Sequence, residues 1–205
     1  MSAARNRLIS LPLAIAAGLA LTACDKSPGG SGSTGNSTGE ALVGGPFQLV
    51  DQDGKSVDQT LLKGKWSAVF FGYTYCPDVC PTTMQALAGA EAKLGDKAKN
   101  LQVVFISVDP ERDTPAQLKT YLSIPAFPKG AIGLTGTQAQ VAAVAKAYRV
   151  YAQKEGQGQG YTVAHTSIVY LMNPAGKFVT ALTESQTPSE VATQIGDAMA
   201  SGAKG

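Results

Sequence analysis

Histidine occurs once in this 205-residue chain, at His165, and cysteine three times, at Cys24, Cys76 and Cys80. Any thiol or imidazole chemistry has to use these four side chains. A disulfide-scaffold domain is excluded, because such a fold needs two or more bridges. A charge excess is missing as well: 17 Lys and Arg stand against 15 Asp and Glu, and the surplus is Arg5 and Arg7, in a leader marked for removal. Nucleic acid is dropped as a partner, since its binding depends on Lys and Arg neutralising several phosphates. The apolar run after Arg7 falls short of the roughly 20 residues that span a bilayer as a helix. The length fits one domain, or at most a small second one.

What is present at the front is a targeting pattern. Arg5 and Arg7 precede a mostly apolar stretch at 8–21, as in a secretory signal peptide. Leu21-Thr22-Ala23-Cys24 then resembles the lipobox of bacterial lipoproteins, which implies cleavage before Cys24 and lipid on its sulfur. Asp25 resembles the signal that retains such a lipoprotein in the inner membrane. The expectation is a protein on the periplasmic face of the inner membrane, lipid-anchored at Cys24. Residues 25–40, DKSPGGSGSTGNSTGE, have no apolar periodicity and read as a flexible tether with a reach of about 20–24 Å. Three segments follow: a signal peptide at 1–23, the lipid-attachment Cys and tether at 24–40, and a folded domain at 41–205.

The domain alternates strand and helix signals. Phe47 to Val50, a turn at Asp53-Gly54 and Val57 predict a short hairpin. The run at 66–71, apolar except for Ser67, is what a strand buried on both faces looks like. Apolar spacing at Met84, Leu87, Ala88, Ala90 and Leu94 predicts a helix beginning at Pro81. A second buried strand is predicted at 101–108, then a helix after the Thr114-Pro115 start signal, and another at 137–148. Residues 153–160, rich in Gly, read as a mobile loop leading into one strand at 161–172. A turn at Asn173-Pro174-Ala175-Gly176, a partner strand at 178–182 and a last helix from Pro188 complete the pattern. The class is α/β: a thioredoxin-like fold with an N-terminal β-hairpin extension.

Chemistry concentrates at Cys76-Pro77-Asp78-Val79-Cys80-Pro81, where a buried strand gives way to a helix. A helix N-terminus carries partial positive charge and free N–H groups, which favour thiolate over thiol. The thiolate is both nucleophile and metal ligand, so redox work and metal binding suit the position equally, and a structural disulfide is a third reading. The C-x3-C spacing differs from the C-x2-C of thioredoxins. His165 is expected in a strand next to the one feeding the Cys loop, within reach of the thiols, either as a ligand or as an ordinary polar residue. Residues 161–172 contain no Pro, whereas thioredoxins usually place one opposite their Cys pair.

Taken together, Gly44-Gly45-Pro46-Phe47, Phe71-Gly72-Tyr73-Thr74, the Cys76–Pro81 hexapeptide, FISVDPERDTP at 105–115, Gly133-Leu134-Thr135-Gly136 and Tyr148-Arg149-Val150-Tyr151 resemble the Sco/SenC family of copper proteins that help assemble cytochrome c oxidase. The resemblance implies a thioredoxin-like fold and one copper, Cu(I) or Cu(II), held by Cys76, Cys80 and His165. It implies two partners, a copper donor chaperone and the copper-site subunit of the oxidase. Many family members carry Asp immediately before this His; this chain has Ala164.

Ligand chemistry agrees with that metal. Two soft thiolates and one imidazole suit Cu(I) and also hold Cu(II), whereas a structural zinc site is normally closed by a fourth protein ligand; catalytic zinc with an open position stays compatible. Met84, one turn after Cys80, is a weak axial candidate or a core residue. Asp78 is expected to shape the Cys loop, with an outer-sphere acceptor or a weak oxygen ligand to Cu(II) as the alternative. Tyr73 and Tyr75 flank the site, and Arg112 and Asp113 read as charges that fix a loop. The leading function is a metallochaperone; the alternative is a thiol-disulfide oxidoreductase that reduces the cysteines of the oxidase copper site. A peroxiredoxin is set aside because its P-x3-T-x2-C arrangement is missing, with Thr74 only two residues before Cys76 and Val69 in place of Pro.

Overall fold

The structure, a computed structural model, describes residues 43–202. Cys24, the expected signal peptide and the expected tether lie outside the described residues.

The predicted hairpin is present as β1 (Gln48–Asp51) and β2 (Ser56–Asp58), paired antiparallel. The apolar run at 66–71 forms β3 (Trp66–Gly72), with all seven residues buried. It leads into α1 (Val79–Leu94). The chain returns as β4 (Leu101–Ser107), which pairs with β3 in parallel along its whole length, Trp66 opposite Leu101 and Gly72 opposite Ser107. Thr114 caps α2 (Pro115–Leu122) by accepting from the Gln117 N–H, with Pro115 at the first helical position as the sequence predicts.

After β5 (Ile132–Thr135), which the sequence reading did not separate out, Thr137 and Gln140 form a reciprocal capping box for α3 (Gln138–Ala147).

Two expectations fail in the next segment. The stretch read as a loop at 153–160 begins with a strand, β6 (Ala152–Glu155), every residue of it exposed. The single strand expected at 161–172 is two: β7 (Thr162–His165) and β8 (Val169–Met172). β6 and β7 pair only with each other, as a separate two-stranded sheet. A strand wet on both faces has no apolar alternation, so periodicity could not reveal β6. β9 (Phe178–Leu182) and α4 (Pro188–Ala200) complete the chain, α4 opening on a Thr187–Glu190 capping box.

The main sheet has the order β2-β1-β5-β4-β3-β8-β9. Its centre, β5-β4-β3, is parallel; β8 runs antiparallel to β3, and β9 antiparallel to β8. This is the expected thioredoxin-like arrangement, with the β1–β2 hairpin added antiparallel to the outer side of β5. The core is aromatic in the middle: Phe70 and Phe105 face each other edge to face across β3 and β4, with centroids 5.9 Å apart. α1 lies against α4, where a Cβ on Gly89 would come within 2.9 Å of Pro188. Such packing holds α1, whose first turn carries Cys80, against α4. Among the described residues no helix is long and apolar enough to cross a membrane.

Candidate metal centre

α1 begins two residues earlier than the expected start at Pro81, so Cys80 lies inside its first turn and Pro81 at the third helical position. Proline is tolerated there because the first turn's N–H groups have no intrahelical partner to lose. Cys80 is completely buried, whereas Cys76, in the loop before the helix, is half-buried, and both are free thiols. Gly72, the last residue of β3, makes room for Cys80: a Cβ there would lie 2.8 Å from the Cys80 sulfur.

The Cys80 backbone N–H donates to Cys76 Sγ at 3.4 Å. With a bond from the Cys80 thiol as the largest cause, and bonds from the Cys80 and Asp78 backbone N–H groups adding to it against the opposing effect of burial, the Cys76 pKa is lowered to about 3. Cys80 moves the other way, raised by its bond to Cys76, by burial and by the Cys76 charge. The reduced pair therefore shares one proton between two sulfurs, and a metal that takes both thiolates must release it.

His165 reaches the thiols by a different route from the one expected. It ends β7, outside the main sheet, and does not sit in the strand next to β3; that neighbour is β8. Its Nε2 lies 3.5 Å from Cys80 Sγ, and its Nδ1 lies 3.0 Å from the Thr166 carbonyl oxygen. A carbonyl only accepts, so Nδ1 carries the proton and the Nε2 lone pair faces the sulfurs. The ring is set edge-on against Tyr73 and Phe70, at 5.7 and 6.2 Å between centroids. One donor atom from each of Cys76, Cys80 and His165 lies within 4.8 Å of the other two, the one such cluster of three Cys, His, Asp or Glu residues among those described. An open cleft of about 340 Å³ reaches it, lined by Tyr73, Cys76, Asp78, His165, Ser167 and Glu184 among others.

The remaining candidates separate cleanly. Met84 is fully buried in the core, one turn along α1, and is not part of the donor cluster. Asp78 is exposed and makes no side-chain cap bond, so the loop-shaping role expected of its carboxylate is not seen; its backbone N–H contributes instead. Asp113 is fully buried and does fix the loop, accepting from the Thr74 N–H at 3.1 Å, the Thr74 hydroxyl at 2.7 Å and the Ser107 hydroxyl at 2.6 Å. Tyr75 is exposed at the rim, whereas Tyr73 is buried behind the histidine. Gly72 and Thr166 escaped the sequence reading as functional residues. The signal for Gly72 was its place between a buried strand and the Cys loop; Thr166 acts through its backbone and left none.

The SCO1/SenC family model matches residues 35–200. Protein SenC of Rhodobacter capsulatus is 40% identical over 163 residues, 79% of this chain and 73% of its own. Protein SCO1 homolog 1, mitochondrial, of Arabidopsis thaliana is 44% identical over 147 residues, 71% of this chain. The chain spans about half the length of the mitochondrial relatives it matches, between 43% and 57%. The solved structure of Bradyrhizobium japonicum ScoI with copper bound is 47% identical, with a TM-score of 0.69, covering 76% of this chain and 98% of that one. A family match over most of the chain, joined to a Cys-Cys-His cluster at the end of a thioredoxin-like sheet, has one reading: the chain belongs to the SCO1/SenC family.

Proposed function

We propose that this protein is a copper metallochaperone that supplies copper to the dinuclear copper site of cytochrome c oxidase during assembly, with Cys76, Cys80 and His165 as the ligands. The observation that carries it is the convergence of two sulfurs and a correctly oriented Nε2 within 4.8 Å at the foot of an open cleft. The donor set fits copper: soft thiolates suit Cu(I), and the imidazole extends the site to Cu(II). Copper bound to the related ScoI supports the same reading. Copper is cargo here, received from a donor chaperone and passed on by exchange of one ligand at a time, so an open cleft is a requirement of the task. Anaerobic titration of the reduced protein is expected to end at one copper per chain by mass, with thiolate-to-copper absorption. Joining Cys76 to Cys80 by oxidation removes two of the three donors and should nearly abolish binding. Tight binding by the oxidised protein would refute the ligand set.

A second reading is favoured by the asymmetry of the two thiols. Cys76 is accessible with a depressed pKa and Cys80 is buried with a raised one, which is how an attacking and a resolving thiol differ. Reduction of the oxidase's copper-site cysteines by this pair is compatible with copper carriage, because the reduced form is also the copper-binding form.

The site on the domain is proposed to work at the periplasmic face of the inner membrane, on a tether at 24–40 anchored by lipid at Cys24, with the folded domain at 41–205. Cys24→Ser is expected to release the protein from the membrane fraction or leave it unprocessed. A mature protein that keeps Met1, or one cleaved elsewhere and free of lipid, would refute the anchor.

A further inference from the structure

The two halves of the copper site sit on different parts of the fold. The cysteines stand on α1 and on the loop that joins it to β3 of the main sheet, and His165 ends the β6–β7 arm, which shares no ladder with the main sheet. One five-residue turn after β4, Asp109 to Asp113, touches both. Its backbone is closed by Asp113 N–H donating to the Asp109 carbonyl at 2.9 Å, and the Asp109 N–H donates to the Ser107 hydroxyl at 2.9 Å.

On the cysteine side, Asp113 holds Thr74, two residues before Cys76. On the histidine side the turn grips Tyr161, the residue before β7. The Tyr161 hydroxyl donates to Asp109 Oδ1 at 2.6 Å, Arg112 Nε donates to Asp109 Oδ2 at 2.5 Å, and Arg112 Nη1 donates to the Tyr161 carbonyl at 3.0 Å. The guanidinium carbon lies 3.5 Å from the Tyr161 ring centroid and 4.7 Å from that of Tyr75, beside the cysteine loop. The Arg112–Asp109 pair is almost wholly buried, so its charge-assisted bonds are little screened by solvent. A second ion pair between turn and arm, Lys154 with Glu111 at 2.7 Å, is exposed, and such pairs are worth little.

We propose that Arg112 is a positioning residue for His165: clamped between Asp109 and Tyr161, it fixes the β6–β7 arm against the cysteine loop and so places Nε2 over the sulfurs. The proposal rests on the copper reading above. The role needs the planar fork of arginine, because two acceptors on different segments and a ring face are engaged at once. A lysine ammonium offers a point charge with none of that geometry.

The test measures the arm and the metal separately. In the copper-free Arg112→Met protein, amide hydrogen exchange at 162–165 is expected to quicken, while β3 and β4 exchange as in the wild type. With added Cu(II), affinity is expected to fall ~10–100-fold, the usual effect of removing a residue that orients a ligand, and the nitrogen signature in the Cu(II) spectrum to weaken. Cu(I) affinity, carried by the thiolates, should stay at the wild-type value. Arg112→Lys is expected to behave like Arg112→Met. Tyr161→Phe, which loses one bond of the clamp and keeps the ring, should shift both measurements the same way by less, and it carries the test should Arg112→Met not fold. Unchanged exchange at 162–165, equal losses of Cu(I) and Cu(II), or full rescue by lysine would overturn the proposal. The exchange result does not depend on copper. Failure of the copper reading itself is seen separately, as an unaltered Cu(II) signature in His165→Ala.

Discussion

In the His165→Ala protein, Cu(II) binding is expected to fall by at least ~100-fold, since removing even an outer residue that orients a ligand costs ~10–100-fold and here the donor itself is gone. Nε2 is one of three donors, and the bond from Nδ1–H to the Thr166 carbonyl keeps its lone pair turned to the sulfurs. Imidazole is well suited to Cu(II), whereas two thiolates alone tend to reduce it. Cu(I) should remain on Cys76 and Cys80. The thiol pair should also still cycle, because imidazole forms no bond in thiol-disulfide exchange. Oxidase assembly in cells carrying this variant then separates the two functions. Failure with intact thiol exchange assigns the role to copper delivery; normal assembly at limiting copper assigns it to reduction. An unchanged Cu(II) affinity and spectrum in the purified variant would reject His165 as a ligand.

Gly72→Ala is expected to damage fold and site together. The added Cβ would stand 2.8 Å from Cys80 Sγ and 2.9 Å from Phe105 Cε2. Neither neighbour has free room to move: both are fully buried, and the Phe105 ring is held against Phe70 and Tyr121. Overpacking of this kind costs about 1–3 kcal/mol, or ~2–12 °C in Tm for a domain of this size. Because the sulfur itself must shift, Cu(I) and Cu(II) should both bind less tightly, in contrast to the selective loss at His165. Thermal melts beside titrations of both copper states check this. Wild-type Tm with wild-type Cu(I) affinity would show that the end of β3 yields without cost.

The parts of the fold that follow from one-dimensional pattern were legible. The mostly apolar run of β3, the Thr114-Pro115 start of α2 and the Pro188 start of α4 are local signals, and each element formed where they stand. The cysteine pair was legible because a strand-to-helix junction is itself a local feature. β6 was not: Ala152, Gln153, Lys154 and Glu155 are all exposed, and their strand conformation comes from pairing with β7. The same pairing ends β7 at His165, so the stretch at 161–172 is divided, with 166–168 in neither strand. Pro81 marked the neighbourhood of the helix start but not the residue, since proline is as acceptable inside the first turn as at its opening. His165 was legible as the lone imidazole, and its route to the thiols was not. The grip of Asp109 and Arg112 on Tyr161 spans about fifty positions and joins residues that share no periodicity, so only the three-dimensional arrangement discloses it.

The unequal depth of the two sulfurs has a kinetic consequence. Cys80 is enclosed beneath Gly72 and Phe105, whereas Cys76 and His165 line the cleft, so on the copper reading proposed above an incoming nucleophile would approach from one side only. The buried thiolate would then be the last donor released, after the acceptor had supplied donors of its own. Unloading in that order would be second-order, with a rate that rises with acceptor concentration, and a loaded carrier without an acceptor would keep its ion.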